Sequence, residues 1–366
     1  MTSRKTTMTN FASLLRPESL NEVVGQDHAV GQIKGMVKRG QFAQTIMLSG
    51  SYSSGKTTIA RLIAKYANCT DIDKKSFKTC GKCIVCKGYP KSMPDVHEIN
   101  CGVNTGVDNA RSLVNQSRMA PRNNFRIFIL DEVQEATKQA QSALLKPLEE
   151  PPANCIWILC TTNPEKVIET ARSRCLVMKL KDISPKDCYK ILVRACKKLN
   201  FKISPSVLKY IASGVQGVPR NALATLEGVY NYVKSGNKLS QSILEDMLVG
   251  QGGFSEKTAV DWFLAMLKDN EKERLAITSK VDDAAGFLSY IGWLTHQVVL
   301  IYSGNKAFVP LEIRKALSSK TAKNIALNVY ADLPALINKL TMYTRHNVPA
   351  KSVLLELNSV VSSWGD

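Results

Sequence analysis

Residues Gly50–Thr58 have the types and spacing needed to hold a chain of phosphates. They contain a G-x-x-x-x-G-K-T motif directly after the apolar run Thr45–Ser49 and before a segment of helical pattern, Ile59–Tyr66. In such a loop the glycines let backbone N–H groups converge on phosphate oxygens, and the helix start adds positive potential. Lys56 would neutralise the β and γ phosphates, and Thr57 would offer its hydroxyl to Mg²⁺. A plain glycine turn is the alternative, but the flanking pattern favours a nucleotide site.

Two adjacent carboxylates, Asp131 and Glu132, follow the apolar run Phe128–Leu130. At the end of a parallel strand, Asp131 would hold magnesium and Glu132 would orient or deprotonate an attacking water. Strands often end in solvated acids, so this pair alone is weak evidence. Together with the loop it predicts hydrolysis of a nucleoside triphosphate, because a carboxylate placed for water is unnecessary where the nucleotide is only structural.

Four of the ten cysteines, Cys69, Cys80, Cys83 and Cys86, follow the spacing C-x10-C-x2-C-x2-C. Four thiolates at this spacing are typical of tetrahedral zinc. Such a site leaves no open position for water, so it would stabilise an insertion, about residues 68–92, rather than perform chemistry. An iron–sulfur cluster and unligated thiols are the alternatives.

The same insertion is rich in lysine, and its charges could form a solvated face or a partner contact. The lysines are Lys74, Lys75, Lys78, Lys82, Lys87 and Lys91.

The elements that must position these residues alternate between short β-type runs and helix-length segments up to Asp182, which is typical of a parallel sheet covered by helices. The predicted strands are Thr45–Ser49, Asp95–Ile99, Phe125–Leu130, Cys155–Cys160 and Cys175–Leu180. Helical segments that open near prolines follow: Pro185–Leu199, Pro205–Ser213 and Pro219–Lys234. We therefore predict an α/β nucleotide-binding domain (1–182), a small helical domain (183–249) and, after the glycine-rich break 249–253, an all-α domain (254–366).

The composition is that of an ordinary globular protein of two or three domains: 366 residues, 44% hydrophobic and 22% charged. The net charge of +18 is uneven, because residues 1–250 hold 36 basic and 20 acidic side chains and residues 251–366 hold 13 and 11. This favours a polyanionic partner for the N-terminal two-thirds.

The apolar stretch Tyr290–Tyr302 is too interrupted by polar residues to predict a membrane segment. Cysteines that mostly fall singly favour a reducing cytoplasm, although the acid-free Met1–Arg16 leaves a transit peptide as an alternative.

Several of these motifs, in this order, resemble the clamp-loader ATPases of the AAA+ superfamily, most closely the bacterial DNA polymerase III gamma/tau family. The resemblance runs from about Leu14 to Leu248. It is carried by the loop, the four-cysteine insertion directly after its helix, Asp131-Glu-Val133, and the stretch Ala143–Pro152 with its Leu148-Glu-Glu-Pro-Pro sequence. The implied fold is an AAA+ P-loop domain with a zinc insertion, a helical lid and an all-α collar.

The resemblance also implies roles for residues that composition and spacing leave unassigned. Leu15-Arg16-Pro17 and Val23-Val24-Gly25-Gln26 resemble the adenine-pocket segment, and Ser173-Arg174-Cys175 resembles the signature whose arginine reaches a neighbouring subunit's ATP. By resemblance Arg174 is therefore a catalytic residue in trans, beside Lys56, Asp131 and Glu132. Thr161-Thr162-Asn163 and Gly217-Val-Pro-Arg220 resemble the family's two sensors of bound nucleotide. The predicted nucleotide-binding set is Arg16, Pro17, Val24, Gly25, Gly50, Ser51, Ser54, Gly55, Lys56, Thr57, Thr58, Thr162, Asn163 and Arg220, with Thr57 and Asp131 on Mg²⁺.

Two positions depart from the family pattern. Pro147 stands where a helix interior is usual, and proline there costs about 3 kcal/mol, so we expect that helix to kink or end early. Asn104-Thr-Gly106 stands where bacterial members tend to place basic residues facing DNA, although Arg111 is retained.

The resemblance implies an ATP-driven subunit that works in a pentameric ring with other loader subunits, opens a sliding clamp and places it on primer-template DNA. The nearly neutral residues 254–366 would form the collar of that ring. A zinc-containing stator without hydrolysis and another AAA+ DNA machine, such as a branch-migration helicase, are the alternatives.

Overall fold

The computed structural model describes residues 10–103, 106–215, 218–240, 243–244, 247–248, 256–281, 284–302, 309–317, 320–345 and 348–362. The chain divides into two compact units: residues 1–202 with 217–223, and residues 203–216 with 224–366. The predicted three-domain boundaries stay a prediction, and the glycine-rich break 249–253 lies outside the described residues.

The described strands form a five-stranded sheet and a separate two-stranded hairpin. Their bounds are β1 Thr45–Ser49, β2 Ile72–Asp73, β3 Lys78–Thr79, β4 Val96–Asn100, β5 Arg126–Asp131, β6 Cys155–Thr161 and β7 Leu176–Lys179. The large sheet has the order β4-β5-β6-β1-β7, and all of its pairings are parallel. The five predicted strands are thus present, and their ends differ from the prediction by no more than one residue.

Helices surround this sheet and fill the second unit. In the first unit they are α1 Phe11–Leu14, α2 Asp27–Arg39, α3 Lys56–Asn68, α4 Ile84–Gly88, α5 Val107–Ser117, α6 Lys138–Ala143, α7 Leu145–Glu149, α8 Glu169–Arg172 and α9 Pro185–Lys198. The remaining helices are α10 Pro205–Gly214, α11 Pro219–Lys234, α12 Glu256–Leu267, α13 Glu271–Thr278, α14 Ala284–Tyr302, α15 Leu311–Ala316, α16 Lys320–Arg345 and α17 Ala350–Ser362. Among the described helices, none is long and apolar enough to cross a membrane.

The central strands are buried on both faces because successive side chains alternate between two cores. Ile127 and Ile129 of β5 join the core formed with α2 and α3. Phe128 of the same strand joins the opposite core, where its ring stacks on Trp157 at a centroid distance of 4.5 Å. Near-continuous apolar runs such as Cys155–Cys160 follow from this two-sided burial.

The second unit has a core of its own. Trp262, Phe263 and Phe287 are completely buried there among aliphatic side chains of α14, α16 and α17. The Trp262 indole donates to Asn358 Oδ1 at 3.1 Å, and the Asn358 amide donates to Thr278 Oγ1 at 2.8 Å. These bonds satisfy polar groups that burial would otherwise leave unpaired.

Pro147 has the effect expected from its ring. The helix that begins at Lys138 stops at Ala143, and the short helix α7 starts again at Leu145, so the proline lies in a first helical turn. A proline is tolerated there because the amides of the first turn have no partner within the helix. The expected early end is confirmed.

Candidate nucleotide site and cysteine cluster

The loop between β1 and α3 needs glycine at both ends of its motif. A Cβ on Gly50 would lie 2.9 Å from the Leu180 carbonyl oxygen, which is closer than real contacts allow. Gly55 has a φ of +99°, a conformation that side chains rarely adopt, and α3 starts at the next residue. The helix therefore begins inside the motif, three residues earlier than predicted, with its free N–H groups facing the loop.

Lys56 is nearly buried, with 5% of its surface exposed. Its ammonium donates to the carbonyl oxygens of Gly50 and Ser51 at 3.0 and 2.9 Å. Burial lowers the pKa of this amine, and the nearby Glu132 and Asp131 act in the opposite direction. A phosphate bound by the loop would supply the counter-charge that carbonyl oxygens provide only in part.

Thr57 and Asp131 meet at the mouth of the loop. Thr57 Oγ1 donates to Asp131 Oδ2 at 2.8 Å, although the two residues are far apart in the chain. Burial is the main cause that raises the pKa of Asp131, and Glu132 adds repulsion. A hydroxyl and a carboxylate side by side next to a phosphate loop are ligands that suit Mg²⁺.

Glu132 stands directly after β5 in a strained conformation, with a φ of +51°. Its Oε2 accepts hydrogen bonds from Gln134 Nε2 at 2.7 Å and from Thr162 Oγ1 at 3.2 Å. Gln134 Oε1 in turn accepts from Thr161 Oγ1 at 2.7 Å. The carboxylate is thereby tied to the end of β6, the segment that resembles the family's nucleotide sensor.

A cleft of about 700 Å³ opens beside the loop. The predicted site residues that line it are Arg16, Pro17, Val24, Ser54, Gly55, Lys56, Thr57, Thr58, Asp131, Glu132 and Arg220. The predicted site residues that do not line it are Gly25, Gly50, Ser51, Thr162, Asn163 and Arg174. Gly50 and Ser51 belong to the loop itself. The Thr162 hydroxyl donates a hydrogen bond to Glu132, which does line the cleft.

Cations converge on this cleft. Burial and then repulsion from Arg61, with a smaller contribution from Arg220, lower the pKa of Arg16. The buried atoms Arg16 Nε and Ser54 Oγ have no hydrogen-bond partner. Unpaired buried donors beside the cations of this cleft fit a polyanionic ligand such as a triphosphate. Arg220 itself packs over the Tyr52 ring at 5.0 Å and donates to the Tyr52 hydroxyl. Gly217, the first residue of the predicted sensor motif Gly217–Arg220, lies outside the described residues.

The segment after Pro17 also lines the cleft, with Glu22, Val23, Val24 and Gln26. Gly25 has a φ of +78°, which lets Gln26 turn inward. The buried Gln26 amide donates to Ser54 O at 3.2 Å and to Lys181 O at 2.7 Å, so it fastens the loop to the chain beyond β7.

Arg174 lies at the surface, where its guanidinium donates to Glu149 Oε2 at 3.1 Å and to Thr170 O at 2.6 Å. It is not a lining residue of its own chain's cleft. Asn163 has a local role in this structure: its side chain accepts from Glu165 N at 3.2 Å and caps the short helical turn Pro164–Lys166.

The four cysteine sulfurs lie within 4.8 Å of one another. The Sγ atoms of Cys69 and Cys86 are 3.7 Å apart, and those of Cys80 and Cys86 are 3.9 Å apart. Tetrahedral zinc with Zn–S bonds of about 2.3 Å requires sulfurs about 3.8 Å apart, so the spacing fits. Backbone donors at Cys83 and Lys82 lower the pKa of Cys80 to about 6, whereas burial raises the pKa of Cys69 and of Cys86.

Sequence reasoning missed several residues that the fold brings to this site. Gln134 bridges Glu132 and the sensor strand. Arg61 and Glu98 line the cleft as a bidentate ion pair, with N···O distances of 2.6 and 2.5 Å. Arg194 also lines it and donates to Leu15 O at 3.2 Å. None of these residues belongs to a sequence motif. Only Gln134, two residues after Glu132, could have been suspected from its position in the sequence.

A parallel sheet with a phosphate loop at the carboxyl end of β1, and an acidic strand two places away, defines an ATPase fold of the AAA+ class. Solved structures agree: the RuvB Holliday junction branch migration motor of Thermotoga maritima superposes with a TM-score of 0.53, covering 81% of this chain and 99% of that one. At 16% identity this likeness shows the fold alone.

Sequence comparisons are more specific. Residues 25–184 match the family described as DNA polymerase III, delta subunit. The DNA polymerase III subunit gamma of Buchnera aphidicola subsp. Schizaphis graminum is 30% identical over 354 residues, which are 93% of this chain and 95% of that protein. The tau subunit of Bacillus subtilis is 33% identical over 66% of this chain, which spans 42% of that longer protein. This chain therefore belongs to the DNA polymerase III gamma/tau family of clamp-loader subunits.

Proposed function

We propose that this chain hydrolyses ATP in the cleft and that primed DNA and a sliding clamp stimulate the reaction. The observation that carries the proposal is the meeting of Thr57 Oγ1 and Asp131 Oδ2 at 2.8 Å beside the phosphate loop, with Glu132 next to them. Lys56 would neutralise the terminal phosphates, while Glu132 would orient or deprotonate the attacking water. Thr57 and Asp131 would hold Mg²⁺, which neutralises charge that develops on the phosphates.

We assign Arg174 to a neighbouring subunit's ATP. Its surface position outside its own cleft supports this assignment. Each ATP in a ring would then be hydrolysed with an arginine from the adjacent subunit. The expected assembly is a pentamer with other loader subunits, with residues 254–366 as its collar. Thr162, Asn163 and Arg220 would report the state of the bound nucleotide within the chain.

The charge distribution supports primer-template DNA as a partner. Residues 1–250 carry nearly the whole positive excess, with 36 basic and 20 acidic side chains. Contact with phosphates needs a basic surface and little reading of bases. The DNA would therefore bind the ATPase part of the ring, while the nearly neutral 254–366 would hold subunits together.

We also propose that the cysteine cluster holds structural zinc. The sulfur spacing fits a tetrahedral ion. The ten cysteines are free thiols, which fits a cytoplasmic location.

The test is steady-state ATP hydrolysis by the purified chain together with its companion loader subunits. It is measured with and without primed DNA and the clamp, beside a Glu132→Gln variant. Strong stimulation by DNA and clamp together, lost in the variant, is the expected result. Hydrolysis that the clamp does not stimulate would contradict the loader role. The absence of hydrolysis in the assembled ring would favour the stator alternative.

A further inference from the structure

The segment Arg16–Glu22 forms one wall of the nucleotide cleft. Arg16, Pro17 and Glu22 all line it. The short helical turn Leu20–Glu22 anchors this wall with Leu20, which is 1% exposed. The position of this wall therefore helps to determine the shape of the cleft.

Tyr89, the residue that ends α4 of the cysteine insertion, holds the wall directly. Its hydroxyl donates to the Pro17 carbonyl oxygen at 2.5 Å. The Lys65 ammonium lies 4.5 Å from the centre of the Tyr89 ring and donates to Glu18 O at 2.7 Å. Tyr89 of the insertion thus holds the carbonyl group of Pro17, and Lys65 of α3 holds the next one, that of Glu18.

Two further hydrogen-bonded links join the wall to the hairpin of the insertion. The buried Tyr66 hydroxyl accepts from Leu20 N at 3.3 Å and donates to Phe77 O at 2.5 Å, so one oxygen connects both segments. Asn21 Nδ2 donates to Ser76 O at 2.8 Å. The wall therefore has partners on the hairpin as well as on α4.

The thiols of the cluster lie on these same elements. Cys83 caps the start of α4 and Cys86 lies within it, while Cys80 directly follows strand β3 of the hairpin. Cys69 follows the end of α3, the helix that carries Tyr66. A metal held by the four sulfurs would fix the relative positions of α3, α4 and the hairpin, which are the elements that contact the wall.

We propose that the cysteine insertion supports nucleotide binding: through Tyr89 and Tyr66 it positions the wall Arg16–Glu22, so that loss of the cluster's metal weakens the binding of ATP. Tyr89 acts through Pro17 and is a positioning residue, not a catalytic one. The inference rests on the proposed nucleotide site and adds a role for the insertion beyond its own stability.

The first experiment measures amide hydrogen exchange of the purified full chain without nucleotide. One sample retains its metal, and the other is stripped with a chelator and then dialysed. We expect peptides covering residues 15–24 to exchange about tenfold faster after stripping, because lost contacts allow local opening, while peptides from β6 remain unchanged. Unchanged exchange in 15–24 after verified metal loss would overturn the proposal, and this readout does not depend on ATP binding.

The second experiment measures equilibrium binding of Mg²⁺ and a slowly hydrolysed ATP analogue. Tyr89→Phe removes only a hydroxyl, and Tyr232→Phe in the second unit is its matched control. We expect Tyr89→Phe to weaken binding about fivefold, which corresponds to one lost hydrogen bond, and the control to leave it unchanged. Asn21→Ala, at an exposed position where folding is not at risk, should weaken binding in the same direction.

Metal removal and Tyr89→Phe should not be additive, because both act through the same contact. Stripped wild-type protein should bind more weakly, and stripping the Tyr89→Phe variant should add less. Additive losses, or wild-type binding that is insensitive to stripping and to both substitutions, would contradict the proposal. If the metal-loaded wild-type chain binds no ATP at all, the proposed function itself fails. The exchange experiment separates that outcome from a failure of this inference, because it does not require ATP binding.

Discussion

The cysteine cluster draws its four thiols from residues 69–86, whereas the nucleotide cleft draws its lining from residues as distant as Asn10 and Leu223. The cluster is a local site, since the end of α3, one hairpin and one short helix bring its ligands together within a stretch of neighbouring residues. The cleft exists only because strands far apart in the chain end at the same edge of a sheet. Spacing therefore suffices to predict the cluster, while the cleft requires the topology.

Arg174→Ala extends this contrast, because the proposed active site would be spread over two chains. We expect about a 10³-fold loss of hydrolysis in the assembled ring, by analogy with other arginine fingers. ATP binding by the isolated chain should stay nearly intact. Steady-state rates and equilibrium binding check this.

Arg172→Ala is the matched control, since this neighbouring arginine also pairs with a glutamate of its own chain but has no proposed role in trans, and its loss should matter little. An equal loss of ATP binding in the isolated Arg174→Ala subunit would refute the role in trans.

Cys83→Ala tests whether the cluster is a complete local site. Because zinc needs four ligands and a local site has no substitute nearby, we expect the metal content to fall from about one ion per chain to near zero. Metal analysis of the purified protein, beside a thermal melt, measures this. Cys196→Ala, which removes a thiol of α9 outside the cluster, should leave the metal content unchanged, and equal content in both variants would argue against the site.

Gln134→Ala tests a contact of the cleft that no motif predicted. Without the amide, Glu132 loses its 2.7 Å bond and its connection to Thr161. We expect kcat to fall about tenfold, which corresponds to about 1.4 kcal/mol of transition-state stabilisation, with little change in KM. Gln139→Ala, an exposed glutamine of α6, is the control. A change in KM alone would assign Gln134 to binding rather than to the orientation of Glu132.

Asp131→Asn should raise stability while it removes activity, as expected for a site that holds charge ready for a ligand. The pKa of Asp131 is raised in the folded protein, so the ionised carboxylate destabilises the fold at neutral pH. The asparagine variant should therefore melt a few degrees higher at pH 7. The difference should vanish below about pH 4, where unfolded aspartate is also protonated.

Thermal melts across that pH range test this, with Asp108→Asn as an exposed control. A gain in melting temperature that is independent of pH would show that packing, not charge, is the cause.

The sequence determined the elements and the local motifs. The five strands of the sheet, the phosphate loop and the four cysteines could each be predicted from periodicity or from spacing, because the physical cause lies within a few neighbouring residues. Pro147 likewise acts on its own helix, as predicted. The family resemblance added predicted roles for Arg174 and Arg220 that no local pattern could provide.

Tertiary structure alone decided which distant side chains meet. The strand order β4-β5-β6-β1-β7 puts the end of β6 between the phosphate loop and Asp131, and so brings Gln134 and Thr161 into contact. The contact between Tyr89 and Pro17 likewise joins residues far apart in the chain. Such contacts leave no periodic signal, because the geometry that creates them is set by packing between elements and not by the residues on either side.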